Sequence, residues 1–125
     1  MKIDKQFEAW RAEEIAKVLL LNSGLVKLVP EYNDQFDFLA ISSQSPDKKI
    51  AVEVKPTKSS GEEIKRVFNK TREQLSKCEL PVLLMYVNSD SENGYFEVLS
   101  KNGKQVHGIQ LLQPAQLEST LAELV

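Results

Sequence analysis

The sequence predicts an α/β fold in which a central mixed sheet is flanked by helices. Two segments, residues 5–22 and 61–78, carry apolar residues at helical spacing, and Pro114 begins a third such segment near the end of the chain. Short apolar runs bounded by turn residues lie between these segments and predict strands. A length of 125 residues suits one domain with its own hydrophobic core, so we expect residues 1–125 to form a single domain.

The strand predictions give the order of the fold. The run VLLMYV at residues 82–87 is apolar at every position, which is typical of a strand whose two faces are both covered. The resulting order is helix, three strands, helix, strand, a C-terminal hairpin and a short helix. The remaining strands are predicted at residues 25–29, 36–41, 49–55 and 95–99, with a hairpin turn at Asn102-Gly103 leading into a strand at residues 106–112.

The first predicted helix has an apolar stripe that we expect to face the core. Glu14 falls on this stripe, and a carboxylate on a buried face is costly unless it has a partner. Either Glu14 faces a functional pocket, or it lies at the edge of the stripe and extends outward, or it pairs with a lysine such as Lys17 or Lys55. The apolar residues of the stripe are Phe7, Trp10, Val18 and Leu21, widened by Ile15 and Leu19.

The composition excludes several classes of protein. No apolar run approaches the ~20 residues that span a bilayer, and the segment MKIDKQFEAW is not a secretory signal because it has acidic residues and no apolar core. The only cysteine, Cys78, cannot form an internal disulfide, and no Cys/His cluster suggests structural zinc. We therefore expect a reduced, cytoplasmic protein with no membrane association.

Charge is unevenly distributed along the chain. The formal net charge is −3 over residues 1–47, +5 over residues 48–77 and −4 over residues 78–125. A local basic segment is what binding to a phosphate backbone requires, although a solvated helix face would give the same pattern. The candidate phosphate contacts in this segment are Lys58, Lys65, Arg66, Lys70 and Arg72.

Three charged residues near the middle of the chain form the candidate site. Glu53 and Lys55 are two residues apart on one predicted strand, so their side chains share a face. Antiparallel pairing with the preceding strand would bring Asp37 beside them. Two carboxylates at one point repel unless a cation lies between them, and hard oxygen ligands favour Mg²⁺ or Mn²⁺. The alternative is that these residues form the polar side of an ordinary amphipathic strand.

The chain resembles the PD-(D/E)xK, or restriction-endonuclease-like, nuclease superfamily over residues 10–87. One departure is that Gln35-Phe36 precedes the aspartate, where the superfamily's name has a proline. Gln74 is similar to a helix glutamine that supports the metal or the lysine in several branches, and it also suits a plain surface position. The matching residues are Glu14 ten residues before Gly24, Asp37 in QFDFLAI, and Glu53-Val54-Lys55 in IAVEVK.

The resemblance implies a fold, an activity and a set of site residues. The fold is a restriction-endonuclease-like αβββαβ core. The activity is phosphodiester hydrolysis with Mg²⁺ or Mn²⁺ bound by Asp37, Glu53 and the Val54 carbonyl. Lys55 would act on the attacking water, and Glu14 would assist.

The sequence leaves three functional hypotheses. The first is an endonuclease from a phage, mobile element or defence system that acts on DNA, with RNA still open as a substrate. The second is an adaptor with the same fold that binds nucleic acid or protein without turnover. The third is a protein whose acidic flanks mimic nucleic acid and bind a basic partner. For site-specific recognition, a chain this small would need a homodimer or a partner protein.

Overall fold

Three helices and six strands make up the part of the chain that the computed structural model describes, which is residues 2–30, 36–58, 62–101, 104–106 and 108–125. The strands lie side by side, in chain order, in one sheet. In chain order the elements are α1 (Lys2–Asn22), β1 (Val26–Pro30), β2 (Phe38–Ser42), β3 (Lys49–Pro56), α2 (Glu62–Gln74), β4 (Val82–Asn88), β5 (Asn93–Leu99), β6 (Gln110–Leu111) and α3 (Pro114–Leu124).

The sheet is mixed, and its one parallel junction among these strands lies at its centre. β1, β2 and β3 form an antiparallel meander, whereas β3 and β4 run parallel. Because a parallel pair requires a crossover connection, the chain passes through α2 between them. β4, β5 and β6 are again antiparallel. The α/β class, the mixed sheet and the order of the first six elements are therefore as predicted.

Helices cover both faces of the sheet. Val52 and Val54 of β3 pack in the core beneath α1 and α3, whereas Ala51, which points the other way, packs in the core beneath α2. Residues 82–87 of β4 are all buried, as their continuous apolar pattern predicted. A strand buried on both faces at the parallel junction holds the two layers together.

The expectation that the apolar stripe of α1 faces the core is wrong. The helix packs on the sheet through Ala12, Ala16 and Leu20, which are fully buried. At about 100° per residue, this buried row lies on the side of the helix opposite Glu14. Small side chains let a helix approach a sheet closely. The prediction overlooked them because it considered the large apolar residues alone. The residues predicted to be buried are instead exposed: Phe7, Trp10, Val18 and Leu21.

The C-terminal strand is shorter than predicted. The sequence indicated a strand over residues 106–112, whereas the strand that pairs with β5 spans Gln110–Leu111. Gln105 forms an isolated bridge to Leu99, and the predicted turn at residues 102–103 lies outside the described residues. The first helix begins earlier than expected, and α2 ends at Gln74 because residues 75–77 form a turn.

Gly94 of β5 is a position where only glycine fits. Its φ is +154°, and an added Cβ would lie 1.9 Å from the Tyr86 carbonyl oxygen of β4. We expect Gly94→Ala to lower the free energy of unfolding by about 2–3 kcal/mol, because β4 and β5 must separate to accept a methyl group. Urea denaturation measures this change.

Gly108 supplies the matched control for that substitution. An added Cβ at Gly108 meets nothing within 4 Å. Gly108→Ala should therefore change the free energy of unfolding by no more than about 0.5 kcal/mol. Equal effects of the two substitutions would contradict the steric argument.

Candidate active site

Strand pairing brings two carboxylates together where the residue before β2 lies beside β3. The Asp37 amide donates a hydrogen bond to the Val52 carbonyl oxygen at 2.9 Å, and the Val54 amide donates to Asp37 Oδ2 at 2.7 Å. Since Phe38 pairs with Val52, Asp37 lies opposite Glu53. The antiparallel pairing expected from the sequence is thus present, and the aspartate carboxylate is fixed by a main-chain donor of the neighbouring strand.

The Glu53 carboxyl has a strongly raised pKa. Burial, a hydrogen bond with the Asp37 side chain and the negative charge of Asp37 raise the pKa of Glu53 from 4.5 to about 8. The positive charge of Lys55 opposes this shift, and the negative charge of Glu13 adds to it. Two carboxylates in contact cannot both ionise freely, so near neutral pH the pair holds a proton unless a cation replaces it.

Of the two neighbouring glutamates of α1, Glu13 is the one whose charge contributes, as the smallest cause, to the raised pKa of Glu53. The Glu14 side chain is 48% exposed and forms an ion pair with Lys17 at 3.6 Å. This agrees with the alternative in which Glu14 pairs with a lysine at the stripe, and Glu14 lies on the face that points away from the sheet. Glu13 pairs with the same lysine at 3.3 Å, and its charge reaches Glu53. The buried alanine row could have identified Glu13, which lies next to it around the helix.

Tyr86 of β4 also belongs to the surroundings of the site, and the sequence reading missed it. In the β3–β4 register it lies beside Lys55. Its hydroxyl is hydrogen-bonded to Thr71 and donates to the Val67 carbonyl oxygen at 3.0 Å, which ties β4 to α2. Burial raises the pKa of Tyr86, the Thr71 hydrogen bond opposes this, and the Glu53 charge adds to it. The only signal in the sequence is a hydroxyl within an otherwise apolar strand.

The candidate phosphate contacts differ in their surroundings. Lys58 forms exposed ion pairs with Glu8 at 3.4 Å and Asp90 at 3.9 Å. The Arg72 side chain is only 20% exposed because it binds the buried Glu97. The other candidates, together with the proposed supporting glutamine, have exposed side chains on α2: Lys65, Arg66, Lys70 and Gln74.

The donor set fits a hard divalent cation with an incomplete protein shell. No three His, Cys, Asp or Glu side chains cluster as a metal site among the residues that the structure describes. Asp37 and Glu53 nevertheless supply carboxylate oxygens in contact, and the negative charge of Asp37 adds to burial in raising the pKa of Glu53. Mg²⁺ commonly binds through one or two carboxylates and keeps several waters, so this pair suits it.

Comparison with known proteins gives no family for this chain. No family model, curated protein or solved structure matches it. Within the described part of the chain, no helix has the length and apolar character needed to cross a membrane. Any assignment of function therefore depends on the geometry of the site.

We expect the metal-free protein to become less stable as pH rises from about 5 to about 8. Between the ordinary pKa of 4.5 and the folded-state pKa of about 8, the folded chain keeps the Glu53 proton that the unfolded chain releases. The contribution of Glu53 to the free energy of unfolding is therefore greatest below pH 4.5 and is lost as the pH rises through about 8. We expect a loss of about 2 kcal/mol, which allows for solvent screening of a half-buried group.

Urea denaturation in EDTA at several pH values measures this loss. Glu53→Gln should remove most of the dependence on pH, since the amide does not titrate. Glu63→Gln is the matched control, because Glu63 is an exposed carboxylate on α2. Parallel curves for Glu53→Gln and the unmodified protein would show that another group is responsible.

Proposed function

We propose that the protein is a Mg²⁺- or Mn²⁺-dependent nuclease of the PD-(D/E)xK type that hydrolyses phosphodiester bonds in DNA. The observation that carries the proposal is the carboxylate pair of Asp37 and Glu53, with Lys55 on the same face of β3. A half-buried pair of carboxylates in contact, with an ammonium group on the same face of the strand, is an arrangement expected for metal-assisted hydrolysis rather than for a structural ion pair.

The order of the elements supports this proposal. A helix, an antiparallel meander, a crossover helix and a parallel fourth strand follow one another, and the four strands are adjacent in the sheet. This is the αβββαβ order of the restriction-endonuclease-like core. Fold alone does not determine activity, so the carboxylate pair remains the main support.

The chain's own residues suggest a division of roles. Asp37, Glu53 and the Val54 carbonyl would hold the cation, which when bound would lower the pKa of a water and offset charge on the phosphate oxygens. Asp37 is kept in position by its hydrogen bond from the Val54 amide. Lys55 would orient the attacking water and stabilise charge on the phosphate. Glu13, rather than Glu14, is the α1 carboxylate that we propose to assist.

The basic residues of α2 suit the path of a phosphate backbone. Glu53 and Lys55 alternate with Val52 and Val54, so they point to the face of the sheet that α2 covers. The exposed Lys65 and Lys70 lie on that helix. A positive helix surface on the same side of the sheet as the Glu53 side chain is favourable for binding a phosphodiester, because it attracts the polyanion.

Metal binding and cleavage, measured separately, test the proposal. Calorimetric titration with Mn²⁺ should show binding, and supercoiled plasmid should be nicked in Mn²⁺ but not in EDTA. Parallel reactions with single-stranded DNA and RNA define the substrate. Lys55→Ala should keep Mn²⁺ binding within about threefold but lower the cleavage rate at least about 100-fold, because the lysine acts on the water.

The same measurements identify the competing function. The exposed apolar face of α1 and the net charge of −2 favour a protein-binding adaptor, because they suit contacts with protein more than with DNA. An adaptor should bind no divalent metal at millimolar concentration. Cleavage that Lys55→Ala leaves unchanged would come from a contaminant or another site, and would contradict the assignment.

A further inference from the structure

α1 has apolar side chains on two opposite faces. The inner face, which includes Ala12 and Ala16, packs on the sheet. Scattered apolar residues on a surface are common, but a contiguous row along a helix is typical of a face that packs against something. We call the row on the opposite face the outer stripe, and its members are Phe7 (55% exposed), Trp10 (57%), Val18 (54%) and Leu21 (53%).

A groove runs beside the outer stripe. It has a volume of about 530 Å³ and is lined by Trp10 and Val18, by Ile15, and by Glu92 of the turn between β4 and β5. The stripe therefore presents a ridge with a groove alongside it. Two helices pack when the ridges of one enter the grooves of the other, and a surface with both features can pack against a copy of itself.

The area of the stripe matches the requirement of a stable dimer. A standard interface covers about 800 Å² on each partner, and about 56–65% of that area is apolar, which is about 450–520 Å². From their exposed fractions, the four side chains of the stripe present about 400 Å². Ile15 and Leu19, which are partly buried, lie beside the stripe and add to this area. The outer stripe is large enough to be the apolar centre of such an interface.

The charges on this face are also self-complementary. Lys17 forms ion pairs with both Glu13, which lies beside the buried row, and Glu14, which lies on the outer face, so Glu14 shares its lysine with a second carboxylate. Arg11 is one turn away from Glu14 on the same face, and no ion pair joins it to another described residue. An approaching surface with an arginine near Glu14 and a carboxylate near Arg11 would neutralise both, and a second copy of α1 is such a surface.

We propose that two copies of the chain associate through the outer stripes of their α1 helices, packed antiparallel about a twofold axis between Arg11 and Glu14. In this register Arg11 of each copy faces Glu14 of the other. Phe7 faces Val18 of the other copy, and Trp10 enters the groove beside the opposing helix. Every contact occurs twice, as a twofold interface requires. The inference is independent of catalysis, because it uses no residue of the carboxylate site.

Sedimentation equilibrium of the full chain from about 1 to about 200 µM tests the association directly. We expect a dimer with a micromolar dissociation constant, which suits an interface of about 800 Å² per partner without further ordering. Trp10 is the only tryptophan in the chain, so its fluorescence reports on this contact alone. Its emission should move to shorter wavelength over the same range of concentration as the dimer forms.

One substitution in the outer stripe and one outside it distinguish association through the stripe from non-specific hydrophobic association. Trp10→Glu should raise the dissociation constant at least about 100-fold, since it puts a charge at the centre of the interface. Leu111→Glu, at a similarly exposed apolar residue of β6, should leave it unchanged. Both positions are exposed, so circular dichroism and thermal unfolding, measured at a concentration well below the dissociation constant, should match those of the unmodified protein.

Charge reversal tests the antiparallel register. Arg11→Glu and Glu14→Arg should each weaken the dimer about tenfold, because each puts like charges opposite one another twice. The double variant restores opposite charges and should return to within about threefold of the unmodified protein. A monomer at about 200 µM, or a dimer unaffected by Trp10→Glu, overturns the proposal. A double variant as weak as the single ones overturns the register.

Discussion

Replacing Glu53 by alanine should abolish metal-dependent cleavage without destabilising the fold. Metal-ion assistance contributes several kcal/mol to such a reaction, and each 1.4 kcal/mol is a factor of ten in rate. Losing about 4 kcal/mol lowers the cleavage rate about 1,000-fold. Substitution of a half-buried residue often lowers activity by unfolding the protein. Here the raised pKa of Glu53 indicates that its charged carboxylate opposes folding above neutral pH, so replacing it should not destabilise the fold.

The combination of lost activity and retained stability is the decisive result. At pH 8 the free energy of unfolding of Glu53→Ala without metal should equal or exceed that of the unmodified protein. Calorimetry should show at least about tenfold weaker Mn²⁺ binding, which separates this variant from Lys55→Ala. Glu63→Ala, at an exposed carboxylate of α2, controls for loss of charge and should cleave normally. Cleavage within tenfold of the unmodified rate in Glu53→Ala would remove the site assignment.

The part of the site that sequence could predict is the part that depends on strand periodicity. Alternation of side chains puts Glu53 and Lys55 on one face of β3, and a short loop between antiparallel strands brings the start of β2 to the end of β3. Asp37 therefore lies opposite Glu53, as expected. Both inferences use only the period of a strand and the direction of its neighbour, which are insensitive to packing details.

The prediction that was wrong, the orientation of α1, depends on which face of a helix is buried. α1 has large apolar residues on one side and Ala12 and Ala16 on the other, and the alanine side packs against the sheet. This orientation of the helix puts Glu14 on the side away from the sheet and Glu13 beside the buried row, where its charge makes a small contribution to the raised pKa of Glu53. Periodicity gives the spacing of both rows equally well. Which one is buried depends on the close fit between helix and sheet, which local spacing does not encode.

The buried ion pair between α2 and β5 was also absent from the sequence reading. Glu97 is fully buried in β5, and both of its oxygens accept hydrogen bonds from Arg72, at 2.6 Å from Nε to Oε1 and 2.6 Å from Nη2 to Oε2. Gln105 donates a third bond to Oε2 at 3.0 Å. The sequence placed Arg72 among the phosphate contacts because both ends of the pair look like ordinary surface residues when read locally.

Removing the arginine should be one of the most destabilising single changes in this protein. Arg72→Met keeps much of the aliphatic volume but leaves the Glu97 carboxylate buried with Gln105 as its one remaining donor among the residues that the structure describes. An uncompensated buried charge costs about 3–5 kcal/mol, a large fraction of the stability of a domain of this size. Urea denaturation at pH 7 should show this loss, and Arg66→Met, which breaks an exposed ion pair with Glu63, should change stability by less than about 1 kcal/mol.

The double variant Arg72→Met with Glu97→Leu decides whether the cost arises from the unpaired charge. Apolar replacements of a whole buried pair are often neutral or stabilising, so the double variant should recover most of the stability lost in Arg72→Met. If the double variant is as unstable as the single one, the arginine acts through packing instead.

DNA binding by the double variant shows whether Arg72 also contacts phosphate. Because the guanidinium is held by Glu97, we expect DNA binding to weaken no more than about threefold, whereas Lys70→Met on the exposed side of α2 should weaken it more.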